Sequence, residues 1–136
     1  MEVEIFTLSD YAENFNGKLT IVGTFDAINS STFPVIQPIC ALSLRLRFSN
    51  KETGNHIVII RLIDKNGKEL NKIDGNLTVM NPMDGSNYSS VNLVMRFNNL
   101  KFEAEGQYSF ELLINDEWLR GLPLKLIKAN QNLKAA

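Results

Sequence analysis

Apolar residues recur at every second position along this chain, the pattern of β-strands with one dry face and one wet face. Leu42, Leu44, Leu46 and Phe48 alternate with Ala41, Ser43, Arg45 and Arg47. Val91, Leu93, Met95 and Phe97 alternate with Asn92, Val94, Arg96 and Asn98. Tyr108, Phe110, Leu112 and Ile114 alternate with Ser109, Glu111, Leu113 and Asn115, and Leu122, Leu124 and Leu126 with Pro123 and Lys125. Residues 3–8 and 19–25 are rich in β-branched and aromatic side chains and read as strands as well. Residues 57–63 are apolar on both faces apart from Arg61, which predicts a central strand or one covered by a loop. Residues 77–80 predict a short edge strand. No segment carries a helical stripe, and residues 11–15 leave room for one helical turn at most.

The turn residues fall between these runs. Asn16-Gly17 precedes the second strand, and residues 50–55, with Thr53-Gly54, read as a hairpin connection. Asp64-Lys65-Asn66-Gly67 suits a four-residue hairpin turn, with Gly67 at a position of positive φ. Asn115-Asp116 suits a two-residue turn, because both residue types tolerate positive φ. Two longer loops are predicted, at residues 27–37 and 81–89. Pro34 and Pro38 cannot donate to a ladder, so a strand in that region is expected at an edge.

Short strands with turn signals every ~8–12 residues predict an all-β, antiparallel, immunoglobulin-like β-sandwich of about seven to nine strands. Phe102, Gly106 and Tyr108 match the spacing of a tyrosine corner, in which the tyrosine hydroxyl bonds backbone across an arch between sheets. Plain strand alternation also accounts for them. Residues 1–128 are read as a single domain and 129–136, polar and terminal, as a frayed tail.

Composition narrows the function classes. At 136 residues the chain can bury a core that needs neither disulfide nor metal. A net charge of −1 gives no global attraction to nucleic acid or to acidic membranes, and neither is expected as a partner. Cys40 is the one cysteine, which excludes an intrachain disulfide. The N-terminus lacks the basic start and apolar run of a secretory signal, and no apolar stretch approaches the ~20 residues of a membrane span. A cytoplasmic address is therefore expected, with the Asn29, Asn76 and Asn87 glycosylation patterns arising by chance.

Catalytic chemistry finds little support. His56 is the one imidazole available as a general base, and no nucleophile sits beside it in a recognisable elbow. Cys40 shares the parity of Leu42 and Leu44, so it should face the core as an inert small hydrophobe. One histidine and one cysteine do not make a zinc site. Asp64, Asn66 and Glu69 look faintly like a calcium loop, and a hairpin turn explains them better. Phosphate-cradling glycine motifs are absent, and no cofactor is expected. A pair of carboxylates acting on glycosides remains open, although Glu103, Glu105 and Asp116 lie near turns.

Five residues stand out as candidates for binding. Arg45, Arg47 and Arg96 fall on wet-face positions of two strands that can be sheet neighbours. Three guanidiniums there would grip a carboxylate or phosphate, unless Glu111 on another strand neutralises them. Trp118, near a loop end, is either a recognition anchor or a cap on the core, with the latter favoured. Gly121 nearby hints at a bulge. Tyr88 belongs to one of the long loops, and Phe33 to the other.

The segments Glu4-Ile5-Phe6-Thr7-Leu8-Ser9-Asp10-Tyr11-Ala12 and Asn16-Gly17-Lys18-Leu19-Thr20-Ile21-Val22-Gly23-Thr24-Phe25-Asp26 resemble a family of small uncharacterised bacterial proteins known as a domain of unknown function. Phe33-Pro34, the Leu44–Phe48 strand, Gly106-Gln107-Tyr108-Ser109-Phe110 and Leu122-Pro123-Leu124 extend the resemblance over most of the chain. Ser9 stands where the pattern leads one to expect cysteine. The resemblance implies a single-domain sandwich of immunoglobulin type and no activity. The function expected first is a non-enzymatic interaction module, binding another protein or a second copy through an edge such as Val35-Ile36 or residues 77–80. The alternatives are a small-ligand or carbohydrate-binding domain and, last, an enzyme with dispersed carboxylates.

Overall fold

The computed structural model describes residues 1–130. Among these described residues nine strands form two facing sheets: β1(Glu2–Phe15), β2(Lys18–Thr24), β3(Ala27–Ser30), β4(Val35–Ser49), β5(Gly54–Asp64), β6(Glu69–Val79), β7(Tyr88–Phe102), β8(Gly106–Ile114) and β9(Glu117–Lys128). The first sheet runs β2-β1-β4-β7 and the second β3-β9-β8-β5-β6. All pairs are antiparallel except β3–β9, which is parallel. The fold is an all-β sandwich, as the alternation predicts.

The dry faces meet in one core. Cys40, Leu42, Leu44, Leu46 and Phe48 of β4 pack with Val58, Ile60 and Leu62 of β5, and with Tyr108, Phe110, Leu112 and Ile114 of β8. Phe48, Phe102 and Phe110 are fully enclosed. Each such ring removes about 150–250 Å² from water, and burial of this kind is the dominant favourable term in folding.

The local turn chemistry is as expected at three hairpins. Asn16 and Gly17 have φ of 51° and 75°, and Asn115 and Asp116 of 52° and 66°, the conformation that matches the twist of the strands they join. At the β5–β6 turn, Asp64 Oδ1 accepts from the main-chain N–H of Asn66 and of Lys68, both at 2.9 Å. The tyrosine corner is present. Tyr108 Oη donates to the Ala104 carbonyl at 2.7 Å, and its ring meets Phe102 edge-on at 5.0 Å between centroids. This arch carries the chain from β7 in one sheet to β8 in the other.

Several expectations are corrected. Residues 11–15 form no helical turn; they continue β1, which pairs with β4 up to Ser9 and with β2 from Ser9 to Phe15. Residues 50–55 are not a hairpin, because β4 and β5 lie in different sheets; they form an arch tied by Ser49 N–H to Glu52 Oε1 at 2.9 Å. Residues 27–37 are not one loop, since β3 and the start of β4 fall within them. Val35-Ile36 opens an interior strand, but only β7 pairs with it there, so Pro38 meets a locally free edge. Residues 77–79 do lie on an edge, as the end of the much longer β6. The bulge in β9 falls at Leu119, between Trp118 and Arg120, rather than at Gly121. Ala129 is tied down by an N–H bond to the Ser30 carbonyl at 2.8 Å. The rest of the expected frayed tail, 131–136, lies outside the described residues.

The second half of β1 and all of β2 form an arm that crosses the outer side of the first sheet. Ser43 and Ala41 occupy outward positions of β4, yet they are 0% and 2% exposed. Ala12 of the arm is likewise 0% exposed. Hydrogen bonds from β7 hold the arm in place: Arg96 Nη2 donates to the Ala12 carbonyl at 3.0 Å, and Asn92 Nδ2 donates to the Gly17 carbonyl at 3.0 Å.

Candidate functional site

The β4–β7 ladder sets two outward residues, Arg45 and Arg47, opposite Asn92 and Ser90, with Tyr88 at its end opposite Ser49. The chain then folds the 80–87 connection, which joins the two sheets, against this end. A shallow groove of about 570 Å³ results, lined by Arg45, Pro82, Met83, Asp84, Ser86 and Tyr88. A second groove of about 320 Å³, bordered by Glu2, Arg47 and Glu52, lies on the other side of Tyr88.

The connection has its own internal scaffold. Asp84 Oδ1 accepts from Ser86 N at 2.9 Å and from Ser86 Oγ at 2.6 Å, and Gly85 turns the chain at φ 80°. The two bonds from Ser86 hold the Asp84 carboxyl below the usual aspartate value. Asn87 accepts at its carbonyl from Asn50 N–H at 2.9 Å, and Ser89 Oγ donates to the Met80 carbonyl at 3.2 Å. With the main chain pinned this way, the apolar side chains are left outside: Met83 is 102% exposed, Met80 74% and Tyr88 49%.

The arginines are not free to act as an anion clamp. A bulge in β1 places Glu4 and Ile5 together opposite Arg45, so Glu2 and Glu4 both reach the arginine pair. Arg47 Nη2 bonds Glu2 Oε2, and Arg45 Nε stands 3.4 Å from Glu4 Oε1. The bond and charge of Glu2 raise the Arg47 pKa further above its ordinary value. Arg45 Nη1 also donates to Asn92 Oδ1 at 2.9 Å, and the Arg47 guanidinium lies 5.9 Å from the centre of the Tyr88 ring. Two carboxylates thus match two guanidiniums, and the surface is amphipathic rather than cationic.

Of the five candidate residues, three converge here: Arg45, Arg47 and Tyr88. Arg96 does not join them. It is spent on the Ala12 carbonyl and on the Tyr11 ring, 5.9 Å from its guanidinium, and so fastens the arm. Trp118 lies on the other sheet, 57% exposed, and does not cap the core. Its Nε1 donates to Glu111 Oε2 at 3.2 Å, so Glu111 serves the tryptophan and not the arginines. Gly121 leaves the space that Glu111 occupies, since a Cβ there would fall 2.5 Å from Glu111 Oε2. Phe33, expected as a loop aromatic, packs against the core.

The sequence reading missed Glu2, Glu4, Asn92, Pro82 and Met83. The last two carried a signal: apolar residues inside a turn-rich segment, off any alternating run. His56 is held as a structural residue, with Nε2 at 2.7 Å from the Glu52 carbonyl, Nδ1 at 2.9 Å from Asn115 Nδ2, and its ring against Phe48. Cys40 is buried, and burial followed by the Asp10 charge pushes its thiol up to about 11. Among the described residues, no three His, Cys, Asp or Glu side chains group closely enough to hold a metal, and no helix is long and apolar enough to cross a membrane.

Comparison with solved structures finds partial likenesses to segments of much larger proteins. A glycosyl hydrolase family 2 member from Bacteroides cellulosilyticus shares 17% identity over 68% of this chain and 12% of its own, with a TM-score of 0.40. A second structure of a family 2 member from Bacteroides cellulosilyticus DSM 14838 gives 18%, 68%, 13% and 0.37. A β-glucuronidase of glycoside hydrolase family 2 gives 13% identity over 88% of this chain and 11% of that one, with a TM-score of 0.41. The chain therefore spans about an eighth of each of these proteins. No curated protein matches the sequence. Residues 4–127 match the model of DUF6941, described as a family of unknown function, and the chain belongs to that family.

Proposed function

We propose that the protein is a non-enzymatic interaction module of the cytoplasm that binds a protein partner through the Tyr88 surface. The observation that carries this reading is Met83, fully exposed on a connection whose main chain is fixed, lining one groove with the exposed Tyr88, while Met80 at the start of the same connection is exposed as well. Leaving these large apolar side chains in water forgoes the gain of burying them, about 1.5–3 kcal/mol each. Methionine, tyrosine and arginine are also the residues enriched at the centres of protein interfaces. The flanking Arg45–Glu4 and Arg47–Glu2 pairs supply a polar rim with no net charge to select for nucleic acid.

The strand order supports an immunoglobulin-like reading of the sandwich. β4 and β7 correspond to strands B and E of that fold, β5, β8 and β9 to C, F and G, and the corner tyrosine stands at the start of F. Such sandwiches commonly recognise partners with the loops at their ends. The lone thiol, buried and unpaired, fits a reducing compartment.

The test is affinity capture from native lysate with the wild type and with Met83→Asp and Tyr88→Ala, each checked for wild-type circular dichroism. Partners retained by the wild type and lost by both variants support the reading; equal retention by all three overturns it. The second reading, a small carbohydrate in the same groove, draws on Tyr88 standing beside Asp84 and Ser86. It predicts saturable shifts of the Tyr88 ring resonances on adding monosaccharide.

A further inference from the structure

β6 alternates as an edge strand should, with one omission. Ile73, Leu77 and Val79 point inward and pack with the core, while Lys72, Asp74, Asn76 and Thr78 are exposed. Gly75 holds the inward position between Ile73 and Leu77 and contributes no side chain. It lies opposite Val58 in the ladder, and a Cβ built there meets nothing within 4 Å. Glycine inside a strand weakens it, and no positive φ demands glycine at this position.

The missing side chain leaves a slot of about 170 Å³, open between the edges of the two sheets where β6 faces β7. Its walls are Val58, Ile60, Ile73 and Leu77 from one sheet and Leu93 and Met95 from the other. Asp74, at the rim, occupies an outward, exposed position. The slot opens to solvent, with Gly75 and Asn76 exposed at its mouth, and its aliphatic walls give the water that covers them no hydrogen-bond partners. An apolar cavity of about 150 Å³ accommodates one benzene molecule. A charged or strongly polar guest would lose its hydration there without compensation.

We propose that this slot is a binding site for a small uncharged apolar ligand, a single aromatic ring or branched alkyl group, and that Gly75 creates it. The site is separate from the Tyr88 surface and does not depend on the reading given to that surface.

The probes are benzene and indole, added to the full chain and followed through methyl ¹H–¹³C resonances. Saturable shifts are expected at Ile60, Ile73, Leu93 and Met95, with Leu124 and Leu126, on β9, unmoved. Gly75→Leu fills the slot with its own side chain and abolishes the shifts. Gly75→Ala, which adds one methyl to open space, weakens binding about fourfold, the equivalent of one methylene, and serves if the leucine variant does not fold. The proposal is overturned if the folded wild type shows no saturable shift at these methyls, or if a folded Gly75 variant binds as tightly as the wild type.

Discussion

Arg45 and Asn92 stand opposite each other in the β4–β7 ladder, and Arg45 Nη1 donates to Asn92 Oδ1 at 2.9 Å. The same amide turns its nitrogen toward the arm, donating to Asn14 Oδ1 at 3.3 Å and to the Gly17 carbonyl at 3.0 Å. Asn92 is therefore the joint between the arginine surface and the β1–β2 arm. Asn92→Ala is expected to lower stability by about 1 kcal/mol. Amide hydrogen exchange should quicken across residues 14–19 while β8 stays protected. Unchanged exchange in the arm would show that Asn92 does not hold it.

Tyr108→Phe removes the hydroxyl from the Ala104 carbonyl and leaves the ring against Phe102. The expected loss is about 1 kcal/mol, since the carbonyl keeps partial access to water. Urea denaturation measures it, and an unchanged midpoint would deny the corner a part in stability.

Gly121→Ala puts a methyl where the Glu111 carboxylate lies and drives it off the Trp118 indole. Trp118 is the one tryptophan in the chain, so its Nε1–H resonance reports the change directly. The resonance should move upfield in Gly121→Ala and in Glu111→Gln, and by less in the latter, whose amide oxygen still accepts. No movement in either would mean the indole bond is not formed in solution.

Cys40 supplies a pH dependence. Burial raises its thiol from 9.0 to about 11, so the folded state binds the proton more tightly than the unfolded chain. Its contribution is intact below about pH 9 and is lost as the pH climbs through about 11. The difference in stability between wild type and Cys40→Val should therefore shift against the wild type over that window. At pH 8 the native thiol should resist a disulfide reagent that labels it promptly in urea.

What was legible in the sequence is what a single strand records about itself. Leu42 to Phe48 and Tyr108 to Ile114 announce their faces because each strand has one side in the core. Asn115-Asp116 announces its turn because the required φ is local. β6 was seen only at its end, since an exposed edge strand carries Lys72, Asp74 and Asn76 where an apolar row would otherwise show it. Residues 50–55 have hairpin chemistry, and nothing local says that the next strand goes to the opposite sheet. The partners of Arg45 and Arg47 were misread for the same reason: strand order puts Glu2 and Glu4 beside them and leaves Glu111 on the far side. Gly75 passes unremarked in sequence, because an inward glycine means a hole only once the facing strand is known.

The parallel pairing of β3 with β9 bears on how the molecule is made. Ala27 finds its ladder partner at Lys125, and the first half of β1 must wait for β4. On the ribosome, β3 has no ladder neighbour until β9 has emerged. Contacts this distant along the chain slow folding, so the second sheet lacks its β3 edge until β9 has been made, and the nascent chain carries an unfinished edge until then.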